Sequence, residues 1–222
     1  MLEVFPGSPA LAQAAADGVE AQLSQALKTR ARASLVATGG RSPGQVYDAL
    51  QAARIDWARV VVTLSDERCV DPADPASNAR LLRERLFVGP PAKAAFLPLW
   101  PAPEQAALTA LAPFDAVLLG MGEDGHIASL IPGAPGLTAA MDPANPDLLA
   151  TSPEGWGSPP VARITLTLRA LIQSRAIFLL IAGEAKRQVI ARAEAGEDLP
   201  VRALLAQDRV PVRILWTPSI SR

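Results

Sequence analysis

Val60-Val61-Val62-Thr63-Leu64 runs straight into Ser65-Asp66-Glu67-Arg68, so that VVVTL meets SDER with no turn residue between them. The first five residues are β-branched or apolar throughout and show no alternation. That is the signature of a strand covered on both faces, the habit of parallel sheets. Similar runs lie at Ser34–Thr38 (SLVAT), Ala116–Leu119, Ile177–Ile181 and Val212–Trp216, with a shorter one at Leu2–Phe5. Helix-forming segments separate them. Ser8-Pro9 reads as an N-cap and first helical residue ahead of an Ala-, Gln- and Leu-rich helix to about Ala33. Ser42-Pro43 opens a second helix through Ala53, and Ser77 caps SNARLLRERLF with its stripe of Leu81, Leu82 and Leu86. A further helix runs from Glu184 to about Ala195. This alternation predicts an α/β fold with a largely parallel sheet and helices on both faces. Proline-rich stretches around residues 71–75, 89–103, 132–146 and 153–160 read as surface loops, because strand-helix units resume after each. One domain over residues 1–222 is expected.

Lys plus Arg (21) balances Asp plus Glu (22), so no global field draws the chain to nucleic acid or an anionic membrane. Cys69 is the single cysteine and His126 the single histidine, which excludes an internal disulfide framework and a cysteine-histidine zinc site. The N-terminal segment carries Glu3 and is broken by Pro6-Gly7, unlike a secretory leader. The longest later apolar run, Ala176–Ala182, falls far short of the roughly 20 residues that span a bilayer. A soluble cytoplasmic protein is expected.

In an open parallel sheet, ligands bind beyond the carboxyl ends of the strands. Four strand ends here carry unusual residues: ATGGRSP, SDER, GMGEDGH and AGEAK. Folding would gather Gly39, Gly40, Arg41, Ser42, Asp66, Glu67, Arg68, Asp124, His126 and Lys186 along one rim. Taken singly, each has a plain structural reading. Gly39-Gly40 suits a turn, mixed charges suit a solvated loop, and GMGEDG lacks the third glycine and the acidic partner of a dinucleotide fingerprint. Lys186 is odder, since a cation in a helix's first turn opposes the dipole. His126 follows two carboxylates at a strand exit with glycines on either side, and imidazole is the side chain best suited to proton transfer near neutral pH.

Together, ATGGRSP, SDERCVDPADPASNARLL, LLGMGEDGHIASLIPG, RITLTLRAL and IAGEAKRQV resemble, in order, the motifs of the 6-phosphogluconolactonases, from about Ser34 to Val189. That family is related to the glucosamine-6-phosphate deaminases. The resemblance implies a modified Rossmann-like fold and hydrolysis of 6-phospho-D-glucono-1,5-lactone, with no cofactor or metal and a phosphorylated sugar lactone as partner. A monomer or weak homodimer is expected. By the same resemblance His126 would be the general base and Asp124 would orient it. Gly39, Gly40, Ser42 and Gly122 would supply backbone amides, and Arg41, Arg68, Arg163 and Lys186 charge for the phosphate. Asp66 and Asn78 would hold sugar hydroxyls. Two departures stand out: GGRSP replaces the common GGSTP, putting Arg41 where a hydroxyl is usual, and Ile131 precedes the proline where many lactonases have Phe. A deaminase would carry Asn and Glu where this chain has Leu130 and Ile131. A sugar-phosphate sensor would need a basic DNA-reading module, which nothing before Ser34 resembles.

Overall fold

The computed structural model describes residues 2–218. The first half of the chain forms β1 (Leu2–Val4), α1 (Ser8–Thr29), β2 (Ala33–Ala37), α2 (Arg41–Leu50), β3 (Val60–Leu64), β4 (Asp66–Arg68), α3 (Asn78–Arg85), β5 (Ala95–Phe96) and α4 (Gln105–Leu111). The second half forms β6 (Ala116–Gly120), α5 (Leu137–Ala140), β7 (Leu149–Ser152), β8 (Arg163–Leu166), α6 (Leu168–Ile172), β9 (Ile177–Ala182), α7 (Glu184–Glu194), α8 (Pro200–Ala206) and β10 (Val212–Thr217).

Seven strands pair in the order β1-β10-β9-β6-β2-β3-β5, every neighbouring pair parallel. Every residue of β2 and β3 is buried. Successive strand residues point to opposite faces, so unbroken burial means that both faces are covered. Part of the cover is α1, whose Leu11, Ala15, Val19 and Leu23 recur every fourth residue and are 3% exposed or less. Two helix starts differ from expectation by one residue. Gly7, not Ser8, is the N-cap of α1, and Gly40 caps α2, which begins at Arg41. In each case the proline sits one position deeper in the helix than expected. The first four N–H groups of a helix have no internal partner, so the missing donor costs nothing there. Both helices also end early, α1 at Thr29 and α2 at Leu50. After Leu50 the chain tightens, with Ala52 and Ala53 N–H donating to the carbonyls of Ala49 and Leu50.

The strand order reverses between β2 and β6: the chain steps outward from β2 to β3 and β5, then returns to β6 and continues through β9 to β10 on the other side. The ladder across this switch point covers only Leu35↔Ala116 and Val36↔Val117, while β6 stays paired with β9 as far as Gly120. A crevice therefore opens at the carboxyl ends of β2 and β6, where doubly wound sheets place their ligands.

A second, antiparallel sheet of order β4-β8-β7 was not expected from the sequence. Ser65 joins it to the first. Its N–H donates to the Ala37 carbonyl of β2 (2.7 Å), and its own carbonyl accepts from Leu166 N–H at the end of β8 (2.8 Å). SDER is thus a strand exit that immediately becomes another strand. Among the described residues no helix is long and apolar enough to cross a membrane.

Candidate active site

Four chain segments leaving β2, β3, β6 and β9 converge on a cavity of about 410 Å³ at the switch point. Gly39, Gly40, Arg41, Ser42, Asp66, Arg68, Asn78, Gly122, His126, Arg163 and Lys186 all line it. Asp124 does not; it lies behind the histidine. Its Oδ1 is 2.6 Å from His126 Nδ1, and the same oxygen accepts the His126 backbone N–H at 3.3 Å. With a carboxylate accepting there, Nδ1 carries the proton, which in the neutral ring leaves the lone pair on Nε2. The imidazole N–H holds the Asp124 carboxyl below the usual carboxylate range, against the opposing effect of burial.

The tight loop carrying this pair closes through Gly122 N–H to the His126 carbonyl (2.9 Å) and Gly125 N–H to the Gly122 carbonyl (3.2 Å). Gly122 lies directly under the imidazole, and a Cβ there would overlap His126 Nδ1 and Asp124 Oδ1. Gly125 in turn accepts from Val201 N–H (3.0 Å), which ties the loop to α8.

Below β2 the chain is fixed by Tyr47, the single tyrosine of the sequence. Its hydroxyl donates to the Thr38 carbonyl (2.5 Å) and accepts from the Thr38 N–H (2.9 Å). Burial pushes this phenol well above its ordinary range, so it stays protonated and able to donate. Gly39 leaves room for Asn78, whose Oδ1 a Cβ would overlap, while Asn78 Nδ2 donates to the Asp66 carbonyl (2.8 Å).

The three charged residues of β4 go to different places. The Asp66 carboxylate, 5% exposed, accepts Ser65 Oγ (2.8 Å) and Ser129 Oγ (2.7 Å), one on each oxygen. Glu67 points away from the cavity, contrary to its expected place on the rim. It accepts Arg68 N–H, Asn78 N–H and Ala79 N–H, each at 2.7 Å, and Ser77 Oγ at 3.1 Å. A buried carboxylate at the start of α3 is favoured by those donors and by the helix dipole. Ser77 also caps α3 as expected, accepting from Arg80 N–H.

Arg68 stands opposite Arg163 in the β4–β8 register. Arg68 Nη1 donates to the Ala76 carbonyl (2.6 Å), Arg163 Nη2 to the Pro159 carbonyl (2.9 Å) and Arg163 Nη1 to Ser129 Oγ (3.3 Å). Both Nε–H groups are buried without a hydrogen-bond partner, and neither guanidinium has an ion pair among the described residues. Burial, then the charge of Arg68, lowers the Arg163 pKa, with Asp66 opposing. On the other side of the cavity Lys186 occupies the first turn of α7. Burial holds its pKa below the usual lysine range; Glu123 opposes this, Arg41 adds to it and Asp124 opposes it. The turn before α7 is pinned by Trp216 Nε1 donating to the Gly183 carbonyl (2.9 Å).

The matching family model, described as glucosamine-6-phosphate isomerases/6-phosphogluconolactonase, spans residues 6–216. The chain belongs to this family of enzymes. Its relatives include the 6-phosphogluconolactonase of Rhizobium meliloti strain 1021, 39% identical over 98% of both chains. That of Caulobacter vibrioides is 40% identical over 97% of this chain and 96% of its own. The crystal structure of a 6-phosphogluconolactonase from Shewanella baltica OS155 superposes with a TM-score of 0.89 at 36% identity, covering 98% of this chain and 97% of that one. Family membership and the α/β architecture thus agree with the resemblance read from the motifs.

Sequence reasoning missed Tyr47, Ser65 and Ser129. For Ser65 the signal was a hydroxyl next to the carboxylate of Asp66 in a strand that must be buried, whereas Ser129, flanked by Ala128 and Leu130, meets Asp66 only through the fold. Tyr47 gave none beyond being the single tyrosine on the buried face of α2.

Proposed function

We propose that the chain hydrolyses 6-phospho-D-glucono-1,5-lactone to 6-phosphogluconate, the second step of the oxidative pentose phosphate pathway. It acts in the cytoplasm as one domain over residues 1–222, as a monomer or weak homodimer, without metal or organic cofactor. The observation that carries this reading is the Asp124–His126 pair at the edge of a cavity rich in cations.

In this mechanism Asp124 fixes the imidazole with Nδ1 protonated and Nε2 free to accept. A water oxygen bonds to the lactone carbon C1 while its proton passes to Nε2. The bond from C1 to the ring oxygen then breaks, and that oxygen takes the proton from His126. The products are a free hydroxyl and a carboxylic acid, which ionises. A positioned base contributes typically 10²–10⁴-fold, a demand suited to an already reactive ester. Cations and free amides around Gly39, Gly40 and Ser42 hold the phosphate; α2 starts there, and a helix N-terminus favours an anion. Asp66 and Asn78 hold sugar hydroxyls, because each Asp66 oxygen keeps a lone pair beyond its serine partner.

Deamination is disfavoured by Leu130 and Ile131, which are 1% and 4% exposed and carry no group to transfer a proton. Purified protein should open the lactone faster than the spontaneous reaction and release no ammonia from glucosamine 6-phosphate. Ammonia release without lactone hydrolysis would contradict this reading.

A further inference from the structure

Another cavity, of about 420 Å³, lies at the opposite end of the large sheet from the one that His126 lines. It sits where β2, β3 and β5 begin, with α4 along one side. The five residues of β2, roughly 17 Å of extended chain, separate the two. Small side chains keep it open. Ala33, Ala95, Ala107 and Ala110 line it, and Phe96 and Leu111 add to its apolar wall. Protein interiors rarely leave a gap larger than a water molecule, whereas small-ligand sites are mostly apolar clefts of roughly 300–1,000 Å³ with a few polar groups.

Four polar side chains also line this cavity: Arg30, Arg32, Ser34 and Asp115. Three of them satisfy one another. Asp115 is fully buried and accepts from the Arg30 guanidinium, from Ser34 N–H at 2.8 Å and from Ser34 Oγ at 3.4 Å. Arg175 Nε lies 3.3 Å from the same carboxylate. The fourth, Arg32, is exposed and has neither an ion pair nor a side-chain hydrogen bond among the described residues. Arg30 and Arg32, with Arg175 behind Asp115, outweigh the single acid of the lining, so the site favours an anion. The rest of the wall offers no unpaired polar side chain, so a ligand's body finds no partner there and must be apolar.

We propose that this cavity is a second ligand site, which takes a medium-chain alkyl carboxylate with its chain along the alanine wall and its carboxylate on the Arg32 guanidinium. An arginine fork receives a carboxylate in bidentate fashion. An unbranched apolar chain asks only for volume and an apolar wall, since the hydrophobic effect is non-directional. The two cavities lie at opposite ends of the same strands, so both fill at once.

The test compares octanoate with octan-1-ol, which keeps the chain and replaces the carboxylate by a neutral group. Binding is measured by calorimetry for the wild type, Arg32→Gln and Ala107→Phe. Octanoate should bind the wild type at one site with a Kd of about 1 mM or tighter, a range that burial of several methylene groups supports. Arg32→Gln should weaken octanoate by about tenfold or more, as expected for a charged hydrogen bond, and leave octan-1-ol unchanged. Ala107→Phe fills the cavity and should remove both. Excess 6-phosphogluconate, which is directed at the other cavity, should leave octanoate binding as it was. No binding of octanoate to the wild type, or displacement by 6-phosphogluconate, would overturn the proposal. So would equal effects of Arg32→Gln on the two probes, or undiminished binding in a folded Ala107→Phe. Arg32 is exposed and unpaired, so its variant carries the test if Ala107→Phe does not fold.

Discussion

In the seven-stranded sheet, β2 and β3 bury every residue and carry no charged side chain, whereas the three-stranded sheet puts Asp66, Glu67, Arg68 and Arg163 into two short strands. Apolar burial is non-directional, so the first sheet is stable with any well-fitting neighbours. In the second, each buried charge needs a particular partner. Glu67 has four donors and Asp66 two hydroxyls, but Arg68 and Arg163, which line the cavity, each keep a buried Nε–H without a partner. The large sheet holds the site in place, and the small one supplies much of its polarity.

The contrast breaks most visibly in stability. Leu35 is fully buried in β2, and Leu35→Ala should cost about 2–5 kcal/mol of folding free energy, read from the denaturation midpoint. Its KM should stay near wild type at temperatures where the variant is folded. A large rise in KM would show that the sheet does more than support.

Gly122→Ala should do the reverse. The added methyl displaces His126 and Asp124 while the core is untouched. A small misplacement of reacting groups costs on the order of 10²-fold in kcat/KM, or about 2.7 kcal/mol. The melting temperature should barely move. Unchanged activity would mean that the imidazole need not sit where Gly122 allows it.

The legibility of the two sheets in the sequence follows the same division. VVVTL, AVLL and IFLLI announce themselves because burial on both faces demands unbroken apolar runs. The four strand ends could be placed on one rim from that alone, and eleven of the twelve expected site residues line the cavity, Asp124 standing behind His126. The second sheet was hidden. β4 is three charged residues of poor strand propensity, and its partner β8 lies almost a hundred residues downstream. Glu67 was misplaced for the same reason: strand alternation turns it away from Asp66 and Arg68, and that alternation is invisible unless SDER is read as a strand.

A smaller effect concerns the two cations at the helix starts, Arg41 on α2 and Lys186 on α7. Lys186 titrates below the ordinary lysine range, chiefly through burial and partly through the charge of Arg41. As pH rises Lys186 loses its proton, and kcat/KM should fall on the alkaline side. Arg41→Ser removes one like charge and raises the Lys186 pKa, so that limb should move to higher pH while affinity at neutral pH drops modestly. A limb that stays put, or moves down, would separate Arg41 from Lys186 in function.

In the proposed mechanism His126, fixed by Asp124, takes the proton from water. His126 lies outside both sheets, so His126→Ala should retain the fold, and the sequence holds no second histidine to replace it. Lactone hydrolysis by this variant, corrected for the spontaneous reaction and accompanied by a circular dichroism spectrum, should fall by about 10²-fold or more with the spectrum unchanged. A folded variant that keeps more than about a tenth of the wild-type rate would contradict the assignment of His126 as the general base.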